Sequence, residues 1–252
     1  MSALYPSAPG TAKKENAFAA IDYSNISEGY VTVRYVGDPA KRCKVRITKD
    51  RRIQNFDVPG DGTPKVFPLT RGNGNYLIQV FQQVDSARYV LFATLNTDVT
   101  LRTPFVPFLY PNTYSDYGPN SKCVSLAYEL CAGKKTDIDK LRAINDWIIK
   151  NIKYDIELAK RVQTEKWWLP CPDEVIETGK SICFGYASLL AAMCRSQGIP
   201  AKICVGMVKN AGKHAWNEVY IDKAWTHLDV TFAAGSNNKA LDTSNYSVEY
   251  YG

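Results

Sequence analysis

The chain has only two histidines, no Cys-x-x-C pair and no run of eighteen apolar residues, and each absence removes a class of protein. Without a continuous apolar stretch of about eighteen residues, no membrane-spanning helix is expected. Without Cys-x-x-C there is neither a zinc knuckle nor a thioredoxin-like site. The pair His214 and His227 lacks the ligand number and spacing of a catalytic zinc, so no metal and no other cofactor is expected. The opening Met1-Ser2-Ala3-Leu4-Tyr5-Pro6 has no charged start and no apolar stretch, and does not read as a signal peptide. The Cys…Trp…Cys pattern of antibody domains is also missing.

What is present is an ordinary soluble composition, 252 residues with 45% hydrophobic and 22% charged side chains, long enough for two domains. The net charge of +6 is uneven: residues 1–110 hold 14 Lys and Arg against 9 Asp and Glu, and residues 111–252 hold 17 against 16. Much of the excess lies in 41–52, where Lys44, Arg46 and Thr48 alternate with Cys43, Val45 and Ile47, the pattern of a strand with one basic and one apolar face. A solvated sheet face is favoured there over a binding surface for an anionic polymer such as a cell-wall component. Nucleic acid is not expected as a partner, because no aromatic residues interleave with these charges on the same face. Of the seven cysteines, Cys123, Cys131, Cys194 and Cys204 lie in apolar segments and read as reduced, buried small hydrophobes. Cys171, between Pro170 and Pro172, reads as an exposed second thiol.

Strand patterns at 29–36, 41–49, 52–58, 65–69, 76–84, 88–93 and 98–101 are broken at Gly37-Asp38-Pro39, Gly60-Asp61-Gly62 and the glycine-rich 71–75. They predict an immunoglobulin-like β-sandwich over 1–110 behind a loose lead-in of about eighteen residues. The stiff apolar segment Thr103 to Pro111 is expected at the domain boundary. Beyond it, over 111–252, helices are predicted at 121–131, from Thr136 with Asp139 as a weak capping box, and at 173–178 closed by Gly179. Leu141, Ile144, Trp147, Ile148 and Ile152 fall at helical spacing and read as core.

The chemistry concentrates further on. Cys183 opens an apolar helix that runs to Gln197 and stops at Gly198-Ile199-Pro200. At a helix N-terminus, free N–H groups and the dipole favour a thiolate and can receive an oxyanion. A strand at 201–208 and a glycine-containing loop lead to His214, whose strand returns through an Asp222-Lys223 turn toward Asp229. In that register Ile221 faces Ala224, His214 faces Thr231, and Asp229 is a diagonal neighbour on the same face. Its carboxylate can fix the imidazole tautomer and leave the other ring nitrogen to take a proton from Cys183. His227 is the competing histidine, since it shares strand parity with Asp229, and Asp222 is a solvated turn carboxylate. Trp167 and Trp168, in the 154–179 loop, cannot both point inward; Trp168 and Trp216 are candidate walls of a substrate cleft, with a packing plug as the equal alternative for Trp168.

The blocks Gly179-Lys180-Ser181-Ile182-Cys183-Phe184-Gly185-Tyr186-Ala187, Arg195-Ser196-Gln197-Gly198-Ile199-Pro200-Ala201, His214-Ala215-Trp216-Asn217-Glu218-Val219-Tyr220 and Trp225-Thr226-His227-Leu228-Asp229 resemble the transglutaminase-like superfamily, and more narrowly bacterial envelope proteins that carry this core behind a small β domain. The resemblance implies an α+β chain with a papain-like core, a catalytic triad of Cys183, His214 and Asp229, and thioester chemistry on protein or peptide amides. It also implies an extracellular or envelope location, with any signal peptide removed before Met1. Members of the superfamily cross-link, hydrolyse peptide bonds or deglycosylate, and some are inactive. An acyltransferase, a cysteine protease or amidase with the same triad, and a degenerate binding module therefore all stay open. In some relatives a tryptophan upstream of the cysteine supports the oxyanion, the role that Trp168 would take. Many relatives have glycine at the position of Ser181 and proline at that of Val230. A serine in a backbone of positive φ would cost about 1 kcal/mol.

Overall fold

The computed structural model describes residues 3–38, 40–85, 88–165, 168–235 and 242–252. The chain divides between Pro107 and Phe108 into two compact units, and the N-terminal segment up to Tyr5 belongs to the second.

The first unit is all β: β1 (Lys13–Glu15), β2 (Ala19–Asp22), β3 (Tyr30–Tyr35), β4 (Cys43–Lys49), β5 (Arg52–Val58), β6 (Lys65–Pro68), β7 (Gly74–Gln83) and β8 (Tyr89–Val99). They form two four-stranded antiparallel sheets, ordered β1-β2-β3-β6 and β5-β4-β7-β8. Alternation builds them. In β4, Cys43, Val45 and Ile47 are buried while Lys44, Arg46 and Thr48 are half-buried, and Phe56 meets Phe67 of the other sheet edge-on at 5.4 Å, as in a sandwich core. The β4–β5 hairpin turns through Asp50 and Arg51 at φ 49° and 61°, the pair of left-handed residues that a tight turn between twisted strands needs.

Two expectations are corrected in this unit. The strands expected at 88–93 and 98–101 are one strand, β8, because burial of Ala93, Leu95 and Val99 continues the alternation through the polar stretch between them. The lead-in is not loose: it contains β1, which pairs with β2 directly behind it, and Gly10, whose N–H donates to Asp22 at 2.7 Å.

The second unit contains α1 (Lys122–Cys131), α2 (Asp137–Asn151), β9 (Lys153–Tyr154), α3 (Ile156–Arg161), α4 (Pro172–Thr178), β10 (Lys180–Ser181), α5 (Cys183–Ser196), β11 (Ala201–Val208), β12 (Gly212–Ile221), β13 (Ala224–Leu228), α6 (Val230–Gly235) and β14 (Tyr246–Tyr251). α5 is buried from Gly185 to Ser196, as an all-round apolar helix must be. It packs between α1, α2 and α4 and the antiparallel sheet β13-β12-β11-β14. The Thr136 hydroxyl accepts the Asp139 N–H at 3.2 Å and starts α2, on which Leu141, Ile144 and Ile148 are buried, followed by Ile152 at its end, while Trp147 is only half-buried. Arg195 is fully buried and donates to the carbonyls of Tyr110, Ala201 and Gly252, with burial pulling its guanidinium down to about 10.

Candidate active site

α5 begins at Cys183 itself, and the flanking Ile182 offers no side-chain cap. Its carbonyl accepts the Gly185 and Tyr186 N–H groups at 2.9 and 3.1 Å, which leaves the N–H groups of Cys183 and Phe184 without an acceptor among the described residues. The chain is led into this helix by β10, whose Lys180 and Ser181 pair in parallel with Lys153 and Tyr154 of β9. Gly185 permits that approach: a Cβ there would lie 1.8 Å from Ser181 Oγ and 3.3 Å from Val175 Cγ2. Ser181 itself has strand geometry and is not among the residues of positive φ, so the serine carries no backbone strain.

His214 lies on β12. The turn through Asp222 and Lys223 has φ values of 49° and 66°, and Ile221 pairs with Ala224 as the register predicts. The ladder ends at Asn217 and Leu228, however, and the chain enters α6 at Val230. Asp229 therefore reaches His214 as a helix cap instead of as a diagonal strand neighbour. Its Oδ1 accepts the Phe232 N–H at 3.0 Å, the N-cap to third-residue bond that a carboxylate makes well, and its Oδ2 meets His214 Nε2 at 2.7 Å. Val230 occupies the first helical position, where a proline is equally well accommodated.

Two further groups fix the histidine. Phe232 of α6 stacks on the imidazole at 4.6 Å and 13°. Tyr246 donates its hydroxyl to the same Asp229 Oδ2 at 3.0 Å. Tyr246 has no local signature, for it lies 17 residues beyond Asp229 and arrives through the pairing of β14 with β11. The Asp229 side chain is fully buried. Burial alone would pull the His214 imidazole down, but its hydrogen bond to Asp229 and the influence of the Cys183 thiol, with the charges behind them, raise it to about 9. Nε2 is taken by Asp229, which leaves Nδ1 as the ring nitrogen for Cys183.

Cys183, His214, Tyr154, Tyr186 and Phe232 line a cavity of about 650 Å³. Trp216 does not. It is 1% exposed, lies nearly parallel to His214 at 6.4 Å and belongs to an apolar cluster with Cys204 and Val208. The expected cleft wall is thus a support behind the histidine, because the strand directs its ring into the core. Trp168 contacts Phe184 edge-on at 6.4 Å and lines a separate cavity of about 620 Å³ with residues of α3 and α4. Trp167 lies outside the described residues. His227 packs against Tyr246 at 4.5 Å and Trp216 at 6.0 Å, and its buried Nε2 has no partner among the described residues. Asp222 is an exposed turn residue. All seven cysteines are free; Cys171 is exposed and Cys183 half-buried, the other five buried. No helix among the described residues is long and apolar enough to cross a membrane.

Residues 124–230 match the family model of the transglutaminase-like superfamily. The chain is 31% identical over 121 residues to kyphoscoliosis peptidase of Mus musculus and 32% identical over 121 residues to that of Homo sapiens, in each case over 44% of this chain and 18% of the relative. It thus spans less than a fifth of the length of these relatives. Among solved structures, a Cytophaga hutchinsonii protein provisionally described as a cysteine protease aligns at 21% identity and a TM-score of 0.43, over 81% of this chain and 74% of that chain. A structure described as a TGase aligns at 24% identity and a TM-score of 0.38, over 50% of this chain and 34% of that chain. Residues 124–230 form a transglutaminase-like domain.

Proposed function

We propose that the protein is a thiol-dependent enzyme that takes the acyl group of a protein or peptide amide onto Cys183. The observation that carries this reading is a single imidazole hydrogen-bonded to the buried Asp229 at 2.7 Å that lines, together with Cys183, one cavity large enough for a peptide segment. Cys183 Sγ attacks the amide carbon, and the developing oxyanion is met by the N–H groups of Cys183 and Phe184 at the start of α5. The C–N bond then breaks, and the proton held on His214 passes to the leaving amine. The thioester is discharged by water, giving a carboxylic acid, or by an amine, giving a new amide; in either case His214 takes a proton from the incoming nucleophile and returns it to the departing thiolate. Asp229 keeps the ring in one orientation and stabilises its charged form. Tyr246 acts through Asp229 and is a positioning residue.

The Cys183→Ala variant tests this reading. With a peptide amide as substrate, intact-mass spectrometry is expected to find an acyl adduct on the wild-type protein and none on the variant, with the melting temperature little changed because Cys183 is only half-buried. An acyl adduct that persists in the variant removes Cys183 from the mechanism.

A further inference from the structure

The cavity that holds Cys183 and His214 has an uneven rim. Lys150 near the end of α2, Lys153 at the start of β9 and Lys213 beside His214 on β12 all border it, and no aspartate or glutamate does among the described residues. All three lysines are exposed, and no ion pair within 4.0 Å engages any of them among the described residues. The neighbouring cavity shows the contrast. Its border carries both signs, with Asp155, Glu157 and Glu174 against Lys160, Arg161 and Lys180, and there Lys160 pairs with Glu157 at 3.0 Å and Lys180 with Asp155 at 3.2 Å. Composition does not explain the difference, because residues 111–252 hold 17 basic against 16 acidic side chains.

Inside the rim, Ile149, Ile152 and Phe232 provide an apolar wall. A cavity with an apolar interior and one sign of charge at its mouth raises the local concentration of the opposite charge and repels its own. From this arrangement we infer that the site selects acidic peptide segments, in which aspartate or glutamate side chains flank the reacting amide, with Lys150, Lys153 and Lys213 as the specificity-determining residues. The inference rests on the thiol-enzyme reading of the same cavity. It carries a corollary: a protonated amine is repelled from this mouth, so water has the advantage as acceptor.

Protection of Cys183 against iodoacetamide, read by peptide mass spectrometry, tests the inference with two capped hexapeptides that share one central glutamine and differ only in glutamate or lysine flanks. At low salt the acidic peptide is expected to protect at about tenfold lower concentration than the basic one, and high salt to erase the gap. Lys150→Glu with Lys153→Glu is expected to invert the preference while leaving Lys213 beside His214 untouched. Equal protection by the two peptides, protection by neither, or a preference unchanged by the charge reversal overturns the inference. Failure of the underlying reading is distinct: without any peptide, labelling of wild-type Cys183 would then be slow and indifferent to His214.

Discussion

Asp229 is the residue on which the site depends, because one carboxylate accepts from His214, Tyr246 and the Phe232 N–H at 2.7, 3.0 and 3.0 Å. Hydrogen bonds to a charged acceptor are worth about 1.5–3 kcal/mol each when one partner is removed. Tyr246→Phe deletes one of them while keeping the ring against Trp216 and His227. The freed carboxylate then holds the imidazolium more tightly. Turnover is expected to fall about tenfold with little change in KM, and the alkaline limb of the pH profile, set by an imidazole raised to about 9, is expected to move to higher pH. A lower melting temperature with an unmoved limb would make Tyr246 merely structural. The proximity of His214 and Asp229 was foreshadowed by a strand after a glycine loop and a two-residue hairpin, and Cys183 by an apolar helix start. Strand parity alone did not separate His214 from His227; the His214-Ala215-Trp216 block of the family resemblance did. Tyr246 was not legible, since only a long-range strand pairing brings it to Asp229.

At the scale of elements, α5 and β11 were readable because an all-round apolar segment followed by Gly198 and Pro200 leaves little choice between helix and strand. α6 was not. Six residues of Val-Thr-Phe-Ala-Ala-Gly carry no periodicity of their own, and the helix depends on the Asp229 cap that the site also uses. β14 escaped for a similar reason, because its alternation is modest and its place is set by β11. The junction of these strands is unusually close: a Cβ on Gly206 would lie 1.9 Å from the Ser247 carbonyl oxygen and 3.0 Å from Val248 Cα. Backbone cannot rotate away as a side chain can. Gly206→Ala is therefore expected to cost about 1–3 kcal/mol and to displace Tyr246 from Asp229, lowering activity beyond the loss in stability. A variant with unchanged melting temperature and activity would show that β14 does not hold the site together.

For the whole molecule, strand spacing indicated a β-rich first segment, while the α+β core behind it was indicated by helix and strand patterns together with the four blocks of the family resemblance. The basic face of the first unit was read correctly as one face of β4, but the ground for excluding nucleic acid is corrected, since neighbouring strands bring rings beside the charges. Lys44 Nζ lies 3.4 Å from the centre of the Tyr89 ring, and Arg46 sits 5.0 Å from that of Phe81 while donating to Asn55 at 3.1 Å. These cations already have partners within the sheet, which favours a solvated face. Replacing Lys44 and Arg46 by Gln is expected to leave retention on an anionic wall polymer unchanged across a salt series; a salt-dependent loss of retention would make this face a binding surface. The measurement closest to the central claim is the rate of iodoacetamide labelling at Cys183 as a function of pH, in the wild-type protein and in His214→Ala. Fast labelling that persists below pH 7 and is lost with His214 is the predicted result. Slow labelling with the pH dependence of an ordinary thiol, the same in both proteins, would contradict the account.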